Sequence, residues 1–451
     1  MDVQTLTGWG RTTRVRARVA RPAHVDQLRE LIEGAAPRSL LPRGLGRSYG
    51  DAAQLRDGVV VDLSAFATIH LDPATATVTA GAGVSLDQLL RVLVPAGFFL
   101  PVTPGTRQVS VGGAIAADVH GKNHHVAGSF GSHVRRLSLV DGSGVLRELG
   151  PQGDASSLER AMFWATVGGM GLTGVLVEAT FAVIPIRTAA LRVATTRFRA
   201  LDTLMAAMVE ADRHWPYSVA WVDSLDGRGR GVLTCGDHAS VEDLDPARRA
   251  APLAYDPQAL AAAPAFLPSG LLNTFTVRAF NEAWYRKAPR RREGEVQAIA
   301  PFFHPLDGVR HWNRLYGPAG FLQYQFAVPD HGAHLVPRAL EVLRRVGAPS
   351  FLTVLKRFGP ANPAPLSFPI PGWTLAADVP AAVPGLREAL DGLDGEVAAA
   401  GGRLYLAKDG RQSAAMARRS YPRLAEWTRL RSLLDPRGVL DSDLARRCLD
   451  P

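Results

Sequence analysis

The chain has 451 residues, more than one ordinary core accommodates, so two or three domains are expected. Its 47% hydrophobic and 21% charged residues exclude a disordered chain, and its two distant cysteines, Cys235 and Cys448, exclude a disulfide framework or a CxxC zinc pattern. The net charge of +9 suits anionic partners, yet the basic residues are spread without interleaved aromatics or a known nucleic-acid module, so no nucleic acid is expected.

The stretch MDVQTLTGWGRTTRVRARVA lacks the apolar centre of a signal peptide. No apolar run of roughly 18 residues occurs that could span a bilayer. The expectation is a cytoplasmic chain, or one lying peripherally on a membrane.

In chain order, VDQLRELIEGA reads as an amphipathic helix, SLLPRGLGRSYGD as a strand entering a glycine turn, and GVVVDLS and TATVTAGAG as strands. Ser85 caps the helix LDQLLRVLVPAG, which Gly97 closes. VRRLSLVDGSGVLREL reads as a hairpin turning at Asp141–Gly144. SSLERAMFWATVGGMGLTGVLVEATFAVIP, from Ser156, reads as helix, glycine loop and strand.

After Pro185 the pattern becomes strand-rich. TAALRVATTRFR, SVAWVDSL, GVLTCGD, FLQYQFAVP, SFLTVLKRFG and GWTLAADVP read as strands, with helices at LDTLMAAMVEADRH and HLVPRALEVLRRVG. This is an α+β pattern with a mainly antiparallel sheet. Residues 245–295 are long and proline-broken and read as a mobile loop or lid. Phe266, Leu267, Leu271, Leu272, Phe275, Phe280 and Trp284 precede the basic run YRKAPRRRE there, a pairing that suits a membrane surface or lipid phosphate. A cover folded back on the core is the other reading. The final segment reads as a strand followed by helices, the last broken at Asp435-Pro436.

Gly169, Gly171 and Gly174 match G-x-G-x-x-G, but a helix precedes them and a strand follows, and no acidic ribose partner sits about 20 residues on. A Rossmann site is therefore rejected. His120, His124 and His125 give H-x3-H-H, but Gly121, Asn123 and Gly128 disfavour the helix that would align them. No metal is expected; His124, His125 and His133 read as loop residues bonded to backbone. Three glycine runs remain: RGLGRSYGD, TPGTRQVSVGGAIAADVHGKNHHVAGSFG and ATVGGMGLTG. Glycine lets backbone N–H groups approach a bulky anion closely, so three such loops suggest an extended ligand with a pyrophosphate.

These runs resemble the FAD-binding domain of the vanillyl-alcohol-oxidase (para-cresol-methylhydroxylase) superfamily. LTGWGRT, FLQYQF, LKRFGP, APLSFPIPGW, GGRLYLAKD and YPRLAEW narrow the resemblance to the polyprenylphosphoryl-ribose 2′-oxidase family, the flavin subunits of an actinobacterial epimerase. The implied fold is an α+β, two-domain flavoprotein. Residues 1–187 would be an FAD-binding domain of two α+β lobes, 188–401 a substrate domain with a large antiparallel sheet and flanking helices, and 402–451 a return to the FAD-binding domain. The implied reaction oxidises the ribose 2′-hydroxyl of a polyprenylphosphoryl-β-D-ribose, with hydride passing to flavin N5. A separate NAD(P)H-dependent keto-reductase would complete epimerisation to the arabinose donor for cell-wall arabinan. Such a substrate also admits the cell-envelope side of a membrane. The alternative is an oxygen-using FAD oxidase of a soluble sugar, alditol or aldonolactone.

The resemblance implies that FAD is held by Arg43, Gly44, Leu45, Gly46, Arg47, Ser48 and Tyr49, by Pro104, Gly105, Thr106, Val109, Gly112, Gly113, Ala114, Ala117 and Asp118, and by Gly121, Asn123, Gly171, Val175 and Tyr405. Some relatives attach flavin covalently through a histidine where this chain has Tyr49; a phenol is no such nucleophile near neutrality, so noncovalent FAD is expected. Lys408 matches the active-site lysine and is expected to act as base, with His120 and Tyr49 near the reacting carbon. Lysine can be tuned to this task by burial or a neighbouring cation. Gln323 and Gln325 alternate with apolar residues, so both face one side of a strand, suited to sugar hydroxyls. A solvent-facing edge is the bland alternative. Lys356, Arg357, Lys122, Tyr405, Trp221 and Phe358 complete the expected substrate contacts, Lys356 and Arg357 for phosphate. Ala376 stands where mycobacterial-type relatives carry the cysteine captured by nitroaromatic inhibitors.

Overall fold

The computed structural model describes residues 1–152 and 157–449. The expected helix start at Ser156 and the last two residues, Asp450 and Pro451, lie outside the described residues.

Two larger sheets, with a short pairing of Phe98–Phe99 and Ile184–Pro185, build the first 185 residues. In one, Val59–Asp62 lies parallel between Leu40–Arg43 and Arg14–Ala20, and Asp2–Thr7 adds an antiparallel edge. Val15, Ala17 and Val19 are buried while Arg14, Arg16 and Arg18 are exposed, the period-2 signature of a half-buried strand. In the other, Ile69–Asp72, Thr77–Gly81, Val175–Ala182, Val134–Val140 and Leu146–Leu149 lie side by side, all antiparallel. The 134–149 hairpin turns where Asp141 accepts from the Ser143 and Val145 N–H groups at 2.8 and 3.0 Å.

The helix Leu86–Leu93 starts in a capping box: the Ser85 hydroxyl accepts from the Gln88 N–H at 3.1 Å, and the Gln88 side chain accepts from the Ser85 N–H. Its buried face is Leu86, Leu89, Leu90 and Leu93. It ends at Leu93, one turn before Gly97, which sits at φ +84° in the turn that follows.

Beyond Pro185 an eight-stranded antiparallel sheet runs in the order Arg291–Ala298, Ala190–Phe198, Gly231–His238, Tyr217–Val222, Thr353–Phe358, Gly372–Pro380, Phe321–Val328 and Arg403–Leu404. One face packs Leu322, Tyr324, Phe326, Leu355, Leu375 and Ala377 against the helices Leu201–Ala211, Leu335–Arg345 and Leu386–Ala399. The alternate residues face the other way, into the site described below.

The reading of 245–295 as a loop needs correction. It contains the 14-residue helix Thr274–Lys287, capped by Asn273, and the edge strand beginning at Arg291. Five of the eight residues of that strand are exposed and none is fully buried, which removed the apolar alternation by which a strand is recognised in sequence.

The C-terminal segment packs on the first part. Leu440 bridges Leu40 in parallel, the Trp427 indole donates to the Ala165 carbonyl at 3.1 Å, and Asp435 ends the helix Leu424–Leu434.

Candidate active site

A cavity of about 650 Å³ lies between the glycine loops of the first part and the open face of the eight-stranded sheet. That is in the middle of the ~300–1,000 Å³ typical of ligand and cofactor sites. Period 2 decides which sheet residues reach it. Gln323, Gln325, Val354, Lys356, Ala376 and Trp221 line it, while their strand neighbours Leu322, Tyr324, Leu355, Leu375 and Ala377 pack in the core. The glutamines are thus on a covered interior face, which removes the solvent-edge alternative. Arg357 is a correction. It follows Lys356 on the strand, so it points to the opposite side, where it pairs with Asp212 and Asp330 and lies over the Trp373 ring.

The loop residues Arg43 to Tyr49 line the cavity, as do Pro104, Gly105, Thr106, Val109, Gly112, Gly113, Ala117, His120, Gly121, Lys122, Gly171, Tyr405 and Lys408. Five predicted residues stand behind this wall instead. Ala114 and Val175 are fully buried in the core. Asn123 donates to the Pro101 carbonyl at 2.8 Å. Asp118 is a structural carboxylate, accepting from Ser129, the Gly131 N–H, Asn362 and Ser367 at 2.5–2.9 Å. Phe358 packs edge-on against the His120 ring, with centroids 4.8 Å apart. Small or polar residues next to a glycine loop gave no signal separating the wall from its support.

Lys408 reaches the site through a close crossing of two loops distant in sequence. The Tyr49 N–H donates to the Ala407 carbonyl at 2.9 Å, and a Cβ on Gly50 would fall 1.9 Å from the Asp409 carbonyl oxygen, so only glycine fits there. Arg447 ties the crossing, bonding Asp51 and Asp409 at 2.8 Å each. The Lys408 Nζ consequently sits 3.7 Å from the Tyr49 ring centroid.

Three buried lysines line the cavity. Burial, helped by Lys356, pulls Lys122 down to about 7, and burial pulls Lys356 down to about 8. Burial also draws Lys408 down to about 7, against the opposing pull of Asp378 and with a further push from Lys356. Burial, then Lys356, His124 and Lys408, hold His120 well below its ordinary value, so the imidazole is neutral. Its Nε2 lies 3.2 Å from the Gln325 amide nitrogen; with that amide donating, the ring proton sits on Nδ1, which is buried and has no partner among the described residues. Lys122 donates to the Phe302 carbonyl and stands 4.4 Å from that ring's centroid.

Asp378 was missed. It faces Gln323 across the register of two neighbouring strands and accepts from the Gln323 amide, with its second oxygen buried and unpartnered. Burial pushes it up to about 7, with Gln323 and Lys408 opposing. The signal was present: a carboxylate at an inward position of a strand otherwise apolar on that stretch. Nothing local to AADVP says which amide or lysine it meets.

The histidines outside the wall are bonded to backbone. His124 Nδ1 accepts from the Gly359 N–H at 3.1 Å, His125 Nε2 lies 3.0 Å from the Trp215 carbonyl, and His133 Nε2 lies 2.8 Å from the Ala127 carbonyl. No group of three metal-ligating side chains occurs among the described residues.

Residues 16–150 match the FAD binding domain family. Over 450 residues the chain is 44% identical to decaprenylphosphoryl-β-D-ribose oxidase of Mycolicibacterium smegmatis, covering 98% of this chain and 96% of that one. The chain belongs to the decaprenylphosphoryl-β-D-ribose oxidase family. It is also 40% identical to an uncharacterised Streptomyces coelicolor protein over 81% of this chain and 99% of that one. The alditol oxidase of a Streptomyces species is 26% identical over 99% of both chains. FAD is the cofactor of this oxidase-family chain, and the structure fits it. The wall is glycine-rich where a bulky anion needs close backbone. A Cβ on Gly105 would meet nothing within 4 Å, so the surface there is open, while one on Gly44 would strike the Ser110 hydroxyl at 2.0 Å. Arg43 and Arg47 stand within that wall, and Lys122, Lys356 and Lys408 also line the cavity. No described helix is long and apolar enough to cross a membrane.

Proposed function

We propose that this chain oxidises the 2′-hydroxyl of a polyprenylphosphoryl-β-D-ribose to the 2′-keto sugar. The observation that carries the reading is the convergence of Lys122, Lys356 and Lys408 with the paired amides Gln323 and Gln325 on one enclosed cavity. Ammonium groups suit a phosphate, and two amides on one strand face suit vicinal hydroxyls. The name of the Mycolicibacterium smegmatis relative supports the sugar and its lipid phosphate.

Bound FAD supplies the hydride acceptor, and the protein supplies orientation and proton handling. Lys408, drawn down to about 7, takes the hydroxyl proton, the protonation state suiting a base at neutral pH. Tyr49 shields its ammonium, and neutral His120 is fixed by Gln325 at the cavity wall. Gln323 and Gln325 hold the sugar, and Lys356 meets the phosphate. Trp221, pinned by its indole to the Phe351 carbonyl at 2.9 Å, and Tyr405 wall the sugar. FAD is held without a covalent bond, since burial raises Tyr49 well above its ordinary value and keeps it a phenol.

The same reading divides the chain at 187 and 401. It assigns a hydride-returning keto-reductase as the next enzyme, the two together making an arabinose donor for cell-wall arabinan. It places the work at a membrane face, where the lipid substrate resides.

The test is anaerobic mixing of FAD-loaded protein with a polyprenylphosphoryl ribose. Bleaching of the flavin spectrum is expected, with none from a free alditol. The reverse pattern would assign the chain to soluble-polyol oxidation. Acid precipitation should leave the flavin in the supernatant.

A further inference from the structure

We propose that the outer face of the helix Thr274–Lys287 docks on an anionic lipid bilayer, setting the mouth of the cavity against the membrane. This deepens the reading above and rests on it for the lipid-borne substrate.

At 100° per residue, Phe275, Ala279, Ala283, Phe280 and Trp284 fall on one arc covering half of the helix, and the buried Val277 and Asn281 follow just beyond Trp284. Phe275 is 82% exposed, and Phe280 and Trp284 are 44% each, their rings stacked at 6.0 Å. Phe266, shortly before the helix, is 96% exposed. A folded protein rarely leaves this much aromatic surface in water on one element without a partner. The helix is held from beneath: the buried Asn281 amide donates to Asp223 at 2.7 Å. The patch is therefore a fixed surface.

Charge selects the occupant. Thr274 to Arg292 carries six basic residues and one acidic. Arg286, Arg291 and Arg292 are paired with Glu282, Glu293 and Glu295, but Arg278, Lys287 and Arg290 make no salt bridge among the described residues. Aromatic residues beside unpaired cations match the headgroup zone of an anionic bilayer. A second copy of this chain meeting the same patch would set these cations against one another. Trp284, Lys287 and Arg292 also line the cavity, so the patch runs into its mouth.

The test uses full-length FAD-loaded protein sedimented with vesicles of phosphatidylcholine alone or with added phosphatidylglycerol. Binding is expected only with phosphatidylglycerol, weakened about tenfold by Phe275→Glu and by Arg278→Glu, and lost at high salt. Neither residue lines the cavity, so flavin reduction by a short-chain, water-soluble polyprenylphosphoryl ribose should be unchanged in both variants. That arm tests the oxidation itself and separates its failure from failure of docking. Absence of vesicle binding, or equal binding by wild type and variants, overturns the proposal. So does light scattering that shows a dimer dispersed by Phe275→Glu, which would give the face to a second copy.

Discussion

The Lys408 ammonium lies 3.7 Å from the centroid of the Tyr49 ring, although the two residues are separated by most of the chain. An aromatic face stabilises a cation without accepting its proton, so this contact favours the charged lysine while burial favours its release of the proton. Lys356 and His120 face the same ammonium, and Asp378 is the carboxylate that acts on it. Lys408→Ala is expected to leave FAD bound and to slow substrate-driven flavin reduction by about 10²–10⁴-fold, the usual contribution of a general base. A base works deprotonated. The wild-type rate should therefore rise with pH through about 7 and level above it. Stopped-flow absorbance from pH 6 to 9 checks this, and a flat profile would remove Lys408 from the role.

Asp378 acts through Lys408. Its negative charge holds the lysine up, so Asp378→Asn should move the rising limb to lower pH while the substrate KM changes little. A merely structural carboxylate would lower stability or cofactor content without moving that limb.

Lys356 and Arg357 are neighbours on opposite faces of a strand. Lys356→Met should raise KM for the phosphorylated sugar about 10–100-fold, the loss of one charge-assisted hydrogen bond. Arg357→Ala should leave KM near wild type and lower thermal stability modestly, since its partners are Asp212 and Asp330. Steady-state kinetics with both variants separates the two.

Gly50 carries the crossing that brings Lys408 to Tyr49. In Gly50→Ala the new methyl would overlap the Asp409 carbonyl oxygen, and unfolding in urea should show a loss of about 1–3 kcal/mol. Activity should fall further than stability explains, because the crossing positions the base.

Ala376 lines the cavity opposite Gln325 in the strand register. With no thiol there, mass spectrometry after turnover with a nitroaromatic inhibitor should find no adduct. Ala376→Cys should gain one without loss of turnover.

The sequence by itself determined the elements with strong periodicity and clear ends. Ser85 marked a helix start, and Asp141–Gly144 a hairpin turn, because capping and turn geometry depend on a few consecutive side chains. Alternation put Gln323 and Gln325 on one face for the same local reason, and the glycine runs announced an anion-binding wall. Tertiary structure alone decided which residues form that wall and which support it. Asp118 and Asn123 sit in the same run as His120 and Lys122, yet their side chains turn to Ser367 and Pro101. It also decided that 291–298 is an edge strand, since water covers most of that strand and leaves no apolar pattern to read. Above all it set strand register and loop crossing. Asp378 meets Gln323 and acts on Lys408 only because two strands align and two loops cross at Gly50. The charge state of a buried lysine depends on which groups surround it in space, and no spacing along the chain encodes that.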